Sequence, residues 1–245
     1  MLNQFSRTQL MLGGEAMTKL RHSRVAVFGV GGVGGYAVEV LARSGVGEIH
    51  LYDNDIISIT NVNRQIIALT TNVGLHKVDV AKERILAINP ACKVEVFKMF
   101  YLPANADEVD LTQYDYVADC IDTITAKMEL IRRCTRLNVP LISSMGAANK
   151  MNAMAFEVAD FNKTRIDPLA RALRKSLHRD GITYHFKTVF STEKPLPTLD
   201  EPDCMEPTNK HYLPASNAWV PPAAGLLLGS EIVKDLINYN IAKER

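Results

Sequence analysis

The sequence contains no Cys-x-x-Cys pair. Its four cysteines, Cys92, Cys120, Cys134 and Cys204, lie far apart, which excludes a zinc knuckle and leaves no readable disulfide framework. The six histidines show no metal-ligand spacing. Long hydrophobic runs are also missing. The longest, residues 219–228, carries Pro221 and Pro222 and is closed by Gly229, Ser230 and Glu231, well short of the roughly 20 apolar residues of a bilayer span. No charged stretch followed by an apolar one opens the chain, so no secretory leader is read. The expectation is a cytoplasmic protein with reduced thiols and no membrane partner. Net charge is nearly absent: 28 Lys+Arg against 27 Asp+Glu leave +1, so no global basic field exists to hold a polyanion. No internal repeat is found.

What is present is the length and composition of an ordinary globular protein, 245 residues at 47% hydrophobic and 22% charged. Residues 24–28 form a short apolar run that ends in Gly29, Gly31, Gly32 and Gly34, after which Ala37, Val38, Leu41 and Ala42 recur at helical spacing up to Gly45. A second run, 49–52, ends in Asp53 and completes a βαβ unit whose right-handed crossover requires a parallel sheet. Further strands are expected at 94–97, 116–121, 140–144, 155–159 and 184–190. Helices are expected around Val78 to Ile88, 126–137, 168–178 and 221–237. Leu169, Leu173 and Leu177 form the apolar stripe of the third of these. The polar, proline-bearing segment 191–216 reads as a functional or mobile loop.

Gly29, Gly31 and Gly34 satisfy G-x-G-x-x-G after a strand and at a helix start, where backbone N–H groups can approach phosphates. Asp53 stands where a carboxylate meets ribose hydroxyls. A nicotinamide dehydrogenase or a non-catalytic nucleotide sensor would share this motif. Arg64, Lys77 and Asp122 fit neither well, because added cations and a carboxylate suit a triphosphate attacked at its α-phosphorus with Mg²⁺. Singly, Arg64 reads equally as a surface ion-pair partner, Lys77 as a solvated first-turn lysine and Asp122 as the N-cap of the next helix.

The glycine loop, Asp53 and Asp55, Asn61 with Arg64 and Gln65, Lys77, and Asp119-Cys-Ile-Asp122 together resemble the adenylating enzymes of the ThiF, MoeB and HesA superfamily, relatives of ubiquitin-activating enzymes. The resemblance implies an α/β, doubly wound, Rossmann-like and mostly parallel sheet, with an antiparallel extension in the C-terminal half. It implies one adenylating domain over 1–245, with 1–150 binding nucleotide and 151–245 binding substrate and supporting a dimer. Asp53 becomes the ribose ligand, Arg64 and Lys77 the phosphate contacts, Gln65 a supporting polar group, and Asp122 the Mg²⁺-associated carboxylate. Asp55 and Asn61 join the nucleotide set. Phe5-Ser-Arg7 resembles the family's N-terminal arginine motif, which makes Arg7 a catalytic contribution across a homodimer interface.

The second half resembles one bacterial branch, the tRNA threonylcarbamoyladenosine dehydratase group. The likeness is carried by Ser144-Met-Gly146, Asn149-Lys150, Asp167 to Arg171, Arg174-Lys175, Gly181-Ile182, Val189 to Ser191, Glu193, Pro195 and Val220 to Gly225. Asn152-Ala-Met154 departs from it, where an Asp-Pro-Thr-like turn is expected. The implied activity is adenylation of the carboxylate of threonylcarbamoyladenosine in tRNA, followed by dehydrative ring closure with release of AMP and pyrophosphate. Adenylation of a ubiquitin-like sulfur-carrier C-terminus is the alternative. Residues 163–187 hold seven basic side chains against two acidic ones, so Arg171, Arg174, Lys175 and Arg179 are the expected tRNA contacts. Residues 193–206 are acidic. Cys204 lies beside Asp203 and Glu206, which would raise its pKa and disfavour a nucleophilic role. A monovalent cation and a cysteine desulfurase or other sulfur-transfer partner stay open.

Overall fold

A computed structural model describes residues 2–199 and 214–239. Among these residues seven strands form one sheet: β1 (Arg24–Phe28), β2 (Glu48–Tyr52), β3 (Lys93–Phe97), β4 (Tyr116–Asp119), β5 (Leu141–Ser144), β6 (Phe156–Asp160) and β7 (Lys187–Ser191). Their order is β3-β2-β1-β4-β5-β7-β6. All neighbours run parallel except β6 and β7, which pair antiparallel at the edge, so the expected fold class is what the molecule adopts. The chain winds outward from β1 to β3 and then returns to place β4 on the other side of β1. Such a reversal opens a crevice beyond the strand C-termini.

Among the described residues seven α-helices flank the sheet: α1 (Ser6–Leu12), α2 (Gly14–His22), α3 (Gly34–Ser44), α4 (Lys77–Ile88), α5 (Ile124–Leu137), α6 (Pro168–Leu177) and α7 (Val220–Leu236). The apolar spacing read from the sequence predicts α3, α4, α6 and α7 to within a residue or two. Helices α1 and α2 are not expected from it, because only Met17 and Leu20 of the two are buried and no stripe results. β7 starts three residues later than expected, since residues 184–186 pack Tyr184 and Phe186 into the core without a ladder. β4 stops at Asp119, where the chain leaves the sheet to line the crevice.

The core divides between the two sheet faces. Val25, Val27, Leu41, Ile49, Val78, Ile85, Leu228 and Ile232 belong to one cluster, and Phe28, Tyr52, Leu130, Phe161, Leu173 and Phe190 to the other. Helix α7 lies directly on α3. A Cβ at Gly225 would sit 2.2 Å from the Val33 carbonyl oxygen, and one at Gly229 would sit 2.7 Å from the Val40 Cβ. These two glycines, four residues apart, let the helix backbones touch. At the departure noted above, Asn152 caps a 3-10 turn, its side chain accepting from the Met154 N–H at 2.9 Å, while Glu193 receives the Met151 and Asn152 N–H groups. An Asn thus does there what an Asp would do.

At the other end of the sheet, Glu48 gathers Arg24 at 2.9 Å, His50 at 2.8 Å and Lys93 at 2.9 Å. Burial pushes its carboxyl up, but the three hydrogen bonds outweigh burial and hold it at about 2, against an ordinary 4.5. A depressed pKa contributes stability that is complete above the unfolded value and lost as pH falls through the folded one. In urea titrations, the stability gap between wild type and Glu48→Gln is therefore expected to be full at pH 6 and to shrink between about pH 4.5 and 2. A gap that is constant over that range would contradict the assignment.

Candidate active site

The loops after β1, β2, β4 and β5 enclose a cleft of about 410 Å³. The first is the glycine loop. Gly29 has φ 87°, and a Cβ there would lie 2.8 Å from the Cys120 carbonyl oxygen; one at Gly34 would lie 1.8 Å from the Gly29 carbonyl oxygen. Only glycine allows the loop to close onto α3 in this way. Gly31 is open apart from the Gln65 side chain, and Gly32 lies against the Arg64 stem and Pro221. The α3 N-terminus therefore presents backbone to the cleft without Cβ obstruction.

Asp53 closes one end. Its Oδ2 accepts the Val30 N–H at 2.7 Å and its Oδ1 the Asp55 N–H at 2.8 Å. Burial raises its pKa, opposed by the charge of Lys77 and by these two backbone donors. The carboxylate expected to read ribose is thus fixed to the glycine loop itself. Lys77 is not a solvated lysine. Its side chain is 7% exposed and its ammonium meets Asp55 Oδ2 at 2.6 Å. Arg64 donates to the Thr60 carbonyl at 2.8 Å and to Asn63 Oδ1 at 2.9 Å, which aims the guanidinium along the loop. Asn61 is buried and accepts the Ser58 N–H, so its visible role is to shape that loop, although it also lines the cleft.

Asp122 lies exposed at the opposite wall. It is not the cap of α5, because Thr123 holds that position. Among the described residues no group of three His, Cys, Asp or Glu gathers for a metal. A single carboxylate with the rest of the shell from phosphates and water is the usual donor set for Mg²⁺, so Asp122 fits that ion and not a resident structural one. Nucleotide fits on two counts: the Cβ-free cradle, and the buried Gln65 Oε1 that finds no hydrogen-bond partner.

The remaining expected residues lie outside the cleft. Arg7 is exposed on α1, whose preceding Phe5 packs against Gly45 at the end of α3 far from the glycine loop. Arg171 and Lys175 are exposed on α6, and Arg179 is exposed on the turn that follows. Arg174 differs. Its guanidinium donates to Thr164 Oγ1 and the Phe161 carbonyl and stacks over the Phe161 ring at 5.8 Å, so it is held within its own chain. The thiols of Cys92, Cys120 and Cys134 are all pushed to about 12 by burial, which leaves them inert. Cys204 and the acidic stretch from Asp200 lie outside the described residues. No helix among the described residues is long and apolar enough to cross a membrane.

Two buried groups escape sequence reading. Lys127, on α5, meets Asp119 Oδ2 at 2.8 Å with both side chains 0% exposed, and Ser143 Oγ donates to the same oxygen at 2.6 Å. Asp119 Oδ1 in turn accepts the Ile121 N–H, fixing the wall that carries Asp122. The second is Lys150, buried beside Asp167 beneath Gly146.

The ThiF family profile matches residues 5–242. The tRNA threonylcarbamoyladenosine dehydratase of Bacillus subtilis (strain 168) is 45% identical over 243 residues, covering 97% of this chain and 96% of that one. The crystal structure of the Escherichia coli tRNA N6-threonylcarbamoyladenosine dehydratase TcdA with AMP superposes with a TM-score of 0.87 at 34% identity, covering 99% of this chain and 96% of that chain. Its complex with ATP gives 0.84 at the same identity and coverage. Molybdopterin-synthase adenylyltransferases are more distant.

Proposed function

The chain belongs to the ThiF family, and from that premise we propose that it catalyses the ATP-dependent dehydration of threonylcarbamoyladenosine in tRNA. The reading is carried by one convergence: a Cβ-free glycine loop, an orphaned Gln65 and an exposed Asp122 share a cleft, in a chain that matches dehydratases along its whole length.

The threonine carboxylate of the modified base attacks the α-phosphorus of ATP, and pyrophosphate leaves with the electron pair of the broken P–O bond. A nitrogen of the modification then attacks the acyl carbon, the C–N bond forms, AMP departs, and the nitrogen's proton passes to water. The oxygen lost from the substrate ends on AMP. Asp53 holds the ribose, the glycine loop holds phosphates, the free Gln65 Oε1 accepts from a hydroxyl or amino group of the nucleotide, and Arg64 and Lys77 neutralise the departing pyrophosphate. Asp122 would hold Mg²⁺, which when bound would supply further charge neutralisation.

Within this reading, residues 1–150 of one adenylating domain bind nucleotide and 151–245 bind substrate and support a homodimer in the cytoplasm. Leu10 and Met11, 88% and 78% exposed on α1, offer an apolar surface for a second copy, which Arg7 would cross to reach the partner's cleft. Arg171, Lys175 and Arg179 form the RNA contact. Arg174 is better read as a brace for the α6 face. Charge reversal at Arg171 and Lys175 together is expected to raise the tRNA KM at least tenfold with the ATP KM unchanged, and an unchanged tRNA KM would remove the patch.

The deciding experiment is mass spectrometry of nucleosides from modified tRNA incubated with protein, ATP and Mg²⁺. Loss of one water from threonylcarbamoyladenosine is expected, and an unchanged mass defeats the reading. Pyrophosphate exchange that needs a sulfur-carrier protein in place of tRNA would select the alternative.

A further inference from the structure

The loops that line the cleft follow the strand order. Asp53 stands at the end of β2, the glycine loop at β1, Cys120 to Asp122 at β4, and Met145, Gly146, Ala147 and Ala148 at β5. Adjacent strands are about 4.8 Å apart. Ribose over β2 and phosphates over β1 therefore put the α-phosphorus, the one joined to the ribose, over the β1 loop. The leaving pyrophosphate belongs on the side of Arg64 and Lys77, both from the chain that follows β2. In-line displacement brings the nucleophile from the opposite side, which is the side of β4 and β5. The acyl carbon, joined to the phosphorus through one oxygen, then lies on the side of loop 145–148.

That loop has free donors. The Met145 N–H is taken by the Val189 carbonyl and the Asn149 N–H by the Ala215 carbonyl, but the N–H groups of Gly146, Ala147 and Ala148 meet no acceptor among the described residues. All three residues line the cleft. Beneath them, Lys150 donates its ammonium to the Gly146 carbonyl and lies 3.6 Å from Asp167 Oδ2, with the two side chains 1% and 0% exposed. Asp167 caps α6 through Oδ1, while Oδ2 has no hydrogen-bond partner, so the pair is held under the loop rather than by it. Buried polar groups of this kind are retained where they fix geometry. Asn149 continues the support, its side chain bonding Leu196, Thr198 and Ala215.

Resting on the dehydratase reading, we infer that loop 145–148 receives the acyl carbonyl oxygen during ring closure, and that Lys150 is the positioning residue that holds the loop through Gly146. As the nitrogen adds to the acyl carbon, the carbonyl π pair moves onto oxygen, where backbone N–H groups stabilise it. When the C–O bond to AMP breaks, the pair returns. Attack at phosphorus places no such charge on this oxygen, so the loop acts on the second step and not on the first. Without it the acyl-adenylate persists until water hydrolyses it, which returns the starting nucleoside after ATP has been spent.

The test compares full-length wild type, Lys150→Met and Lys150→Arg in a single turnover, with enzyme in excess over modified tRNA and with ATP and Mg²⁺ present, measuring pyrophosphate released and dehydrated nucleoside formed. In Lys150→Met, pyrophosphate release and the ATP KM are expected to stay within threefold, while dehydrated nucleoside per pyrophosphate falls about 10²-fold, the scale for loss of an oxyanion donor. Lys150→Arg, which can still donate to Gly146, is expected to recover most of the coupling. If Lys150→Met does not fold, Lys150→Met with Asp167→Asn removes both buried charges, keeps a capping side chain for α6, and is read in the same way. Equal loss of both signals overturns the inference, as does an unchanged ratio. Wild type that dehydrates nothing overturns instead the reading on which it rests.

Discussion

Arg64→Ala is expected to lower kcat for tRNA dehydration by about 10²- to 10³-fold, the range seen when a donor aimed at developing charge is removed. The side chain is prepared for that role. Its stem lies along Gly32, 3.3 Å from where a Cβ would stand, and Nη1 is tethered to Thr60 and Asn63, so the guanidinium loses little freedom when phosphate arrives. Because charge on pyrophosphate grows as it leaves, the larger effect belongs in kcat and the smaller in the ATP KM. Arg64→Lys keeps the charge but not the planar fork and should recover only part of the rate. A kcat within tenfold of wild type in Arg64→Ala would place the phosphate contact elsewhere.

The largest stability effect is expected at Lys127. Replacing it with methionine keeps the bulk but leaves the Asp119 carboxylate buried and uncompensated, with only Ser143 and the Ile121 N–H beside it. Breaking a buried pair by removing one partner costs about 3–5 kcal/mol, which for a chain of this size lowers Tm by roughly 6–20 °C. Calorimetry with urea unfolding measures it. Adding Asp119→Leu to Lys127→Met removes the stranded charge and should restore part of the loss, although the Ile121 N–H then loses its acceptor. A shift below about 2 °C in the single variant would mean that the pair does not hold the cleft wall.

The parts of the fold that follow from local chemistry were legible. The glycine run sits between a strand and a helix because the chain must turn there with φ positive at Gly29 and no Cβ at Gly34, and the sequence carries both requirements in adjacent letters. The β/α rhythm likewise predicts a parallel sheet, since each stripe has its own period. What was not legible depends on neighbours far along the chain. Lys127 carried a faint signal, lying with Leu130, Ile131 and Cys134 on the inward face of α5, but its partner comes from β4. Lys150 was named only within the family likeness, with nothing in its neighbours to mark it as buried beside Asp167. Arg174 lies off the leucine stripe and so reads as solvent-facing. Phe161, from the turn after β6, covers that side of α6 and claims the guanidinium. Asp55 entered the nucleotide set through the family likeness; its pairing with Lys77 was not legible, because it crosses a loop whose path no periodicity specifies.

The seam of Gly225 and Gly229 against α3 has a practical consequence for anyone who edits the gene. Helix α7 lies far from the glycine loop in sequence, yet it rests on the helix that this loop opens, and its Pro221 touches Gly32 within the loop. A rigid fusion or insertion that displaces α7 is therefore expected to disturb the glycine loop. Soluble tags are better placed elsewhere.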